Sequence, residues 1–161
     1  MRKLLSAMVV VFSMGMTGSV QAQDTYKASE AYQNKYYVMA FKEWRLLAEK
    51  GDSNAEQWVA DMYYNGQGVT QDYKEAVIWL RKVSEKGDAF AQSYLGKMYE
   101  LGHGVKQDNV YAHMWFNISA SHGGALYSER RDAVAKKMTS AEVDKAQELA
   151  RECVKKNYKG C

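Results

Sequence analysis

Apolar residues recur along this chain at spacings of three and four, the pattern of helices with one buried stripe. From Tyr36 to Lys50, Tyr37, Ala40, Phe41, Trp44, Leu47 and Ala48 share one face, and Gly51 ends the run by accepting the left-handed conformation past a helix C-terminus. A second helix is expected from Ser53, which stands at capping-box spacing from Glu56, with Ala55, Val59, Met62 and Tyr63 turned inward. Another starts at Asp72, with Glu75 three residues on, and carries Ala76, Trp79 and Val83. Asp88 and Asp108 are the expected N-caps of the next two helices, and Thr139 with Glu142 frames the last. The chain contains no proline, which suits helices joined by glycine turns.

The pattern has a longer period as well. Gly66-Gln67-Gly68-Val69-Thr70-Gln71-Asp72, with Ala76 and Trp79, returns 36 positions later as Gly102-His103-Gly104-Val105-Lys106-Gln107-Asp108 with Ala112 and Trp115. Ala40, Arg45, Glu49, Lys50, Gly51 and Asp52 likewise match Ala76, Arg81, Glu85, Lys86, Gly87 and Asp88. A fixed period of this size marks stacked units, none of which buries its apolar face alone. Residues 53–88 and 89–124 are two full units. They follow a half-unit, 24–52, that supplies a second helix behind a degenerate N-terminal cap. Residues 125–161 lose the repeat and are expected to form two helices, about Ala125 to Met138 and Ser140 to Asn157, that seal the far end.

The run A-x-x-x-L/V-x-x-M-Y-x-x-G-x-G-V-x-x-D-x-x-x-A-x-x-W, present from Ala55 to Trp79 and again from Ala91 to Trp115, resembles the Sel1-like repeat, a relative of the tetratricopeptide repeat. Thr70 and Lys106 stand where that family often has proline. The resemblance implies an all-α, right-handed solenoid of antiparallel helix pairs with a C-terminal capping helix pair. It also implies that the first helix of each pair faces ligand. Carried onto this chain, the ligand-facing positions are Gln57, Asp61, Ser93 and Lys97, with Tyr64 and Glu100 on the same faces. Their mixed charge points to a polar, peptide-like ligand.

At the N-terminus Arg2 and Lys3 precede an apolar run from Leu4 to Phe12 and a small-residue end at Val20-Gln21-Ala22, the form of a secretory signal cut after Ala22. The expected mature protein is then a single domain, 23–161, periplasmic or secreted and not membrane-spanning. Losing Arg2 and Lys3 leaves it close to neutral, without the basic footprint of a nucleic-acid binder. In an oxidising compartment Cys153 and Cys161, the only cysteines, are expected to form a disulfide.

Little points to chemistry. His103, His113 and His122 do not pair at a metal-ligand spacing, and no serine is followed three positions later by the lysine of an acyl-transfer motif. Neither Gly-x-Gly leads into a dinucleotide or P-loop fingerprint. No cofactor, metal or catalytic residue is therefore assigned. The expected function is a non-enzymatic interaction module for a protein or peptide of the cell envelope. The alternative is a carbohydrate- or peptidoglycan-binding, or β-lactam-related hydrolytic, envelope protein, which requires exposed aromatics in the groove.

Overall fold

The computed structural model describes the backbone of residues 17–161 and the side chains of residues 22–161, so most of the expected signal segment lies outside the described residues. All regular elements described are helices: α1 (Thr17–Gln33), α2 (Tyr37–Glu49), α3 (Ser53–Asn65), α4 (Tyr73–Ser84), α5 (Ala89–Leu101), α6 (Asn109–Ser121), α7 (Ala125–Ala135) and α8 (Ser140–Lys155). None of them is long and apolar enough to cross a membrane. Helices α1 to α6 form three successive pairs, and the second helix of each pair packs against the first helix of the next, giving an all-α solenoid. Helix α1 begins upstream of the expected cleavage point and provides α2 with a partner, Ala28 and Ala31 being buried. Helices α7 and α8 close the far end by both packing on α6.

The main core runs from Ala28 in α1 to Cys153 in α8, and a smaller cluster of Ala112, Phe116 and Val134 joins α6 to α7. Trp79 and Trp115 are buried within the main core, as their helical spacing with Ala76 and Ala112 predicts. The two units solve the same packing problem with different volumes. Gly96 faces Phe116 so closely that a Cβ there would lie 2.8 Å from the ring, whereas the matching positions of the preceding unit hold Ala60 and Leu80. A larger side chain on one helix is accommodated by a smaller one on its neighbour. Polar contacts repeat too: the Arg45 guanidinium donates to the Tyr63 hydroxyl (3.2 Å) and that of Arg81 to Tyr99 (2.6 Å).

The repeated glycine loop has a clear structural basis. Gly66 and Gly102 cap α3 and α5 in the left-handed conformation. Gly68 and Gly104 also have positive φ, at 72° and 73°, and in addition a Cβ on either would overlap the backbone carbonyl of Tyr37 or Tyr73, the first residue of α2 or α4. The Gln71 and Gln107 amides then tie the loop to the carbonyls of Tyr64 (2.8 Å) and Glu100 (2.9 Å). Asp72 and Asp108 accept first-turn N–H groups of α4 and α6.

Capping follows the sequence expectation with two differences. The N-cap of α3 is Asp52, which accepts from the Ala55 N–H at 2.9 Å, and Ser53 is the first helical residue. Glu56 is buried and turns instead to Lys86 (2.6 Å), because a carboxylate taken out of water requires a charged partner. Asp72 caps α4 without a reciprocal bond from Glu75. Thr139 and Glu142 do form the reciprocal box.

Past α8, which ends two residues before the expected Asn157, positive φ at Asn157, Tyr158 and Gly160 turns the chain back and joins Cys161 to Cys153, with Cα atoms 5.7 Å apart. The turn lays the Tyr158 ring against Gly87 and brings the Gly160 N–H to Glu85 (3.4 Å).

Four substitutions, compared in denaturant titrations, and one mass measurement test these contacts. Trp79→Ala should cost about 3–5 kcal/mol; a loss under about 1 kcal/mol would contradict the burial. Gly104→Ala should cost about 1–3 kcal/mol more than Gly51→Ala, since both have positive φ but only Gly104 meets a backbone carbonyl. Unreduced protein should show no alkylatable thiol by mass spectrometry, and Cys161→Ser should lower stability by about 2–3 kcal/mol.

Candidate functional site

The first helices of successive pairs touch through long side chains. On the N-terminal side, the Tyr32 hydroxyl donates to Gln67 (2.9 Å) and its ring leans on Trp58, with centroids 4.7 Å apart. Between α3 and α5 the Tyr94 hydroxyl donates to the Asp61 carboxylate (3.4 Å). Lys97 places its ammonium 4.7 Å from the Tyr64 ring centroid and 5.3 Å from that of Tyr94, within cation–π range. Tyr64 also meets Tyr73 (5.2 Å) and His103 (5.8 Å), and His103 stacks on Tyr73 at 4.3 Å and 11°. Beside this cluster is an open cleft of about 290 Å³ lined by Gln57, Trp58, Asp61 and Phe90. Phe90 is 55% exposed and Trp58 36%.

The electrostatics follow from this crowding. Burial raises the Asp61 carboxyl above its ordinary value, and the Asn65 side chain, the Tyr94 hydroxyl and Lys97 offset only part of that. Burial, then the adjacent Asp61 charge, pushes the Tyr94 hydroxyl well above its ordinary value. Carboxylate, phenol and ammonium thus share one small region, with aromatic rings around them.

Family comparison bears on the same helices, since the family model described as "Sel1 repeat" matches residues 53–88 and 89–124. The chain carries two Sel1 repeats. The crystal structure of a protective antigen present in uropathogenic Escherichia coli strains, displaying an SLR fold, is similar over 86% of this chain with 26% identity and a TM-score of 0.77. A Sel1 repeat protein from Oxalobacter formigenes is similar over 80% of the chain with 24% identity and a TM-score of 0.63, a likeness of fold. The chain covers 31% of the first of these and 53% of the second. No curated protein matches it.

Within the Sel1 repeats, the six positions taken from the family pattern divide into two groups. Gln57, Asp61, Tyr64 and Lys97 meet at the cleft and the aromatic cluster. Ser93 does not join them: it is 1% exposed and accepts a bond from Arg130 of α7 (3.1 Å). Glu100 is paired with Lys137, just past α7, at 2.6 Å. Ser93 is buried and Glu100, half-exposed, is engaged because the C-terminal extension reaches both from beyond α6. Sequence reasoning missed Trp58, Phe90, Tyr94 and His103. A signal for two of them was present, since Trp58 and Tyr94 occupy the same position of their repeats, one residue after Gln57 and Ser93.

The Asp61 environment gives a pH prediction. A carboxyl whose folded-state value is raised stabilises the fold while protonated, and that contribution is lost as pH rises through the folded value. Asp61→Asn should therefore be more stable than wild type at neutral pH, and the difference should close as the solution is acidified below the ordinary carboxyl range. Equal denaturation midpoints at neutral pH would show that the carboxylate is not strained by its surroundings.

Proposed function

We infer that this protein is a non-enzymatic, exported Sel1-repeat scaffold whose first-helix face holds an extended polar peptide segment of a cell-envelope protein. The observation that carries this reading is the Asp61–Tyr94–Lys97 group beside an open cleft rimmed by Trp58 and Phe90. A peptide offers N–H donors to a carboxylate, carbonyl acceptors to an ammonium and side chains to aromatic rings, so it uses every group present. Repeat scaffolds of this kind generally serve protein–protein contacts, and no acyl-transfer motif is present in the sequence. Export is supported by the N-terminal sequence pattern and the disulfide.

Carbohydrate binding is less well supported by the geometry. A sugar-stacking platform needs a free ring face, whereas Trp58 lies parallel to Trp44 at 5.6 Å and has Tyr32 leaning on it.

A photo-crosslinking residue at Tyr64 should trap a defined envelope protein in intact cells, while one at exposed Lys106 should not. Asp61→Asn, Tyr64→Ala and Lys97→Ala together should leave a cooperatively folded protein and remove the trapped species; undiminished capture by the folded triple variant, read from a crosslinker at Phe90, would move the site elsewhere. The exported protein should have the intact mass of residues 23–161, and retention of residues 1–22 would refute cleavage.

A further inference from the structure

The outward stripe of the second helices can be read three times at the same repeat positions. On α6 it is Val110, Met114 and Ile118, and α8 packs on this helix, leaving Met114 2% and Ile118 1% exposed. On α4 the same stripe is Lys74, Ile78 and Lys82, with both lysines in solvent. On α2 it is Val38, Lys42 and Leu46, and here Val38 and Leu46 are 60% and 55% exposed. Next to them, Met39 is exposed where α4 has Glu75. Helix α2 thus has much of the apolar pattern of a covered helix, while the chain's own covering helix lies two units away on α6.

The surroundings favour one class of occupant. Two shallow grooves of about 520 and 500 Å³ flank the stripe, between them lined by Val38, Met39, Lys42 and Leu46 among others. Arg45 is paired with Glu49 at 3.0 Å, but Lys35 and Lys42 form no ion pair among the described residues. The face is apolar with unneutralised positive charge. A second copy docked face to face about a two-fold axis would set Lys42 against Lys42, which like charge disfavours.

We propose that the outer face of α2 docks an amphipathic helix of a partner protein, apolar where it meets Val38, Met39 and Leu46 and acidic where it meets Lys35 and Lys42. The covering of α6 by α8 is the internal precedent for the geometry: a helix laid along a second helix, burying small residues such as Ala146 and Ala150. The charge sets the partner's sign. This surface is separate from the first-helix cleft and does not depend on the function proposed for it.

The test uses the mature chain and a fluorescein-labelled peptide of about four helical turns, with leucine and alanine on one face and glutamate on the other. Wild-type protein should bind it by fluorescence anisotropy, with amide shifts in NMR spectra centred on α2. Val38→Ser with Leu46→Ser, and separately Lys42→Glu, should each weaken binding by about tenfold or more, a loss of about 1.4 kcal/mol, with unchanged thermal unfolding. A lysine-for-glutamate version of the peptide should bind more weakly than the original. No binding, shifts located away from α2, or affinity unaffected by both variants would overturn the proposal. So would association only with vesicles of anionic lipid, which would make the face a membrane contact, or self-association abolished by the variants, which would make it a dimer interface.

Discussion

The contact of a loop glycine with a backbone carbonyl sets the spacing of this array. Gly68 against Tyr37, and Gly104 against Tyr73, put the turn of one helix pair on the first residue of the preceding second helix with no room for a side-chain carbon. Both ends of that contact are backbone, so it fixes the distance between units more rigidly than side chains in alternative rotamers would. The Arg45–Tyr63 and Arg81–Tyr99 bonds then have the right reach in both places. The loops also carry residues of the aromatic cluster: His103 lies between Gly102 and Gly104 and is held against Tyr73 by the same approach.

The candidate site follows from this spacing. Neighbouring first helices stand far enough apart that only long side chains bridge them, and what bridges changes along the array. Tyr32 meets Gln67 and Trp58 at one end, Tyr94 meets Asp61 in the middle, and Arg130 meets Ser93 at the other. The central bridge is the one that leaves a carboxylate half-buried beside an ammonium and an open cleft. Groups held against their solvation preference are typical of sites kept for binding at some expense of stability.

The repeat boundaries, the aspartate caps, the glycine loops and the buried tryptophans were legible in the sequence because each depends on residues close together in the chain. Where the reading failed, the deciding partner was distant. Ser53 and Glu56 have the spacing of a local cap, but Lys86, thirty residues on, claims the glutamate. Ser93 and Glu100 lie on the expected ligand face, yet Arg130 and Lys137 reach them from a segment where the repeat is no longer recognisable. Helical periodicity identifies a face and not what covers it. Trp58 and Tyr94 were visible as a repeated aromatic position, but their bridging role becomes apparent only when α1, α3 and α5 stand side by side.

The chain's end has a consequence for its length. Tyr158 and Gly160 reach back to Gly87 and Glu85, so the C-terminal turn is fastened to the corner between α4 and α5. Everything this clasp touches lies in the last two pairs and the extension. A further copy of the 36-residue unit inserted between Gly51 and Asp52 would find the same loop contact on each side and leave the clasp intact. The same copy inserted between Gly123 and Gly124 would carry α7 and α8 onto the new last helix and set the clasp against Ser121 and Gly123, the repeat positions of Glu85 and Gly87, so the Gly160 N–H would lose its carboxylate partner. A unit added on the N-terminal side thus keeps every contact of the clasp, whereas one added on the other side costs it the Glu85 contact.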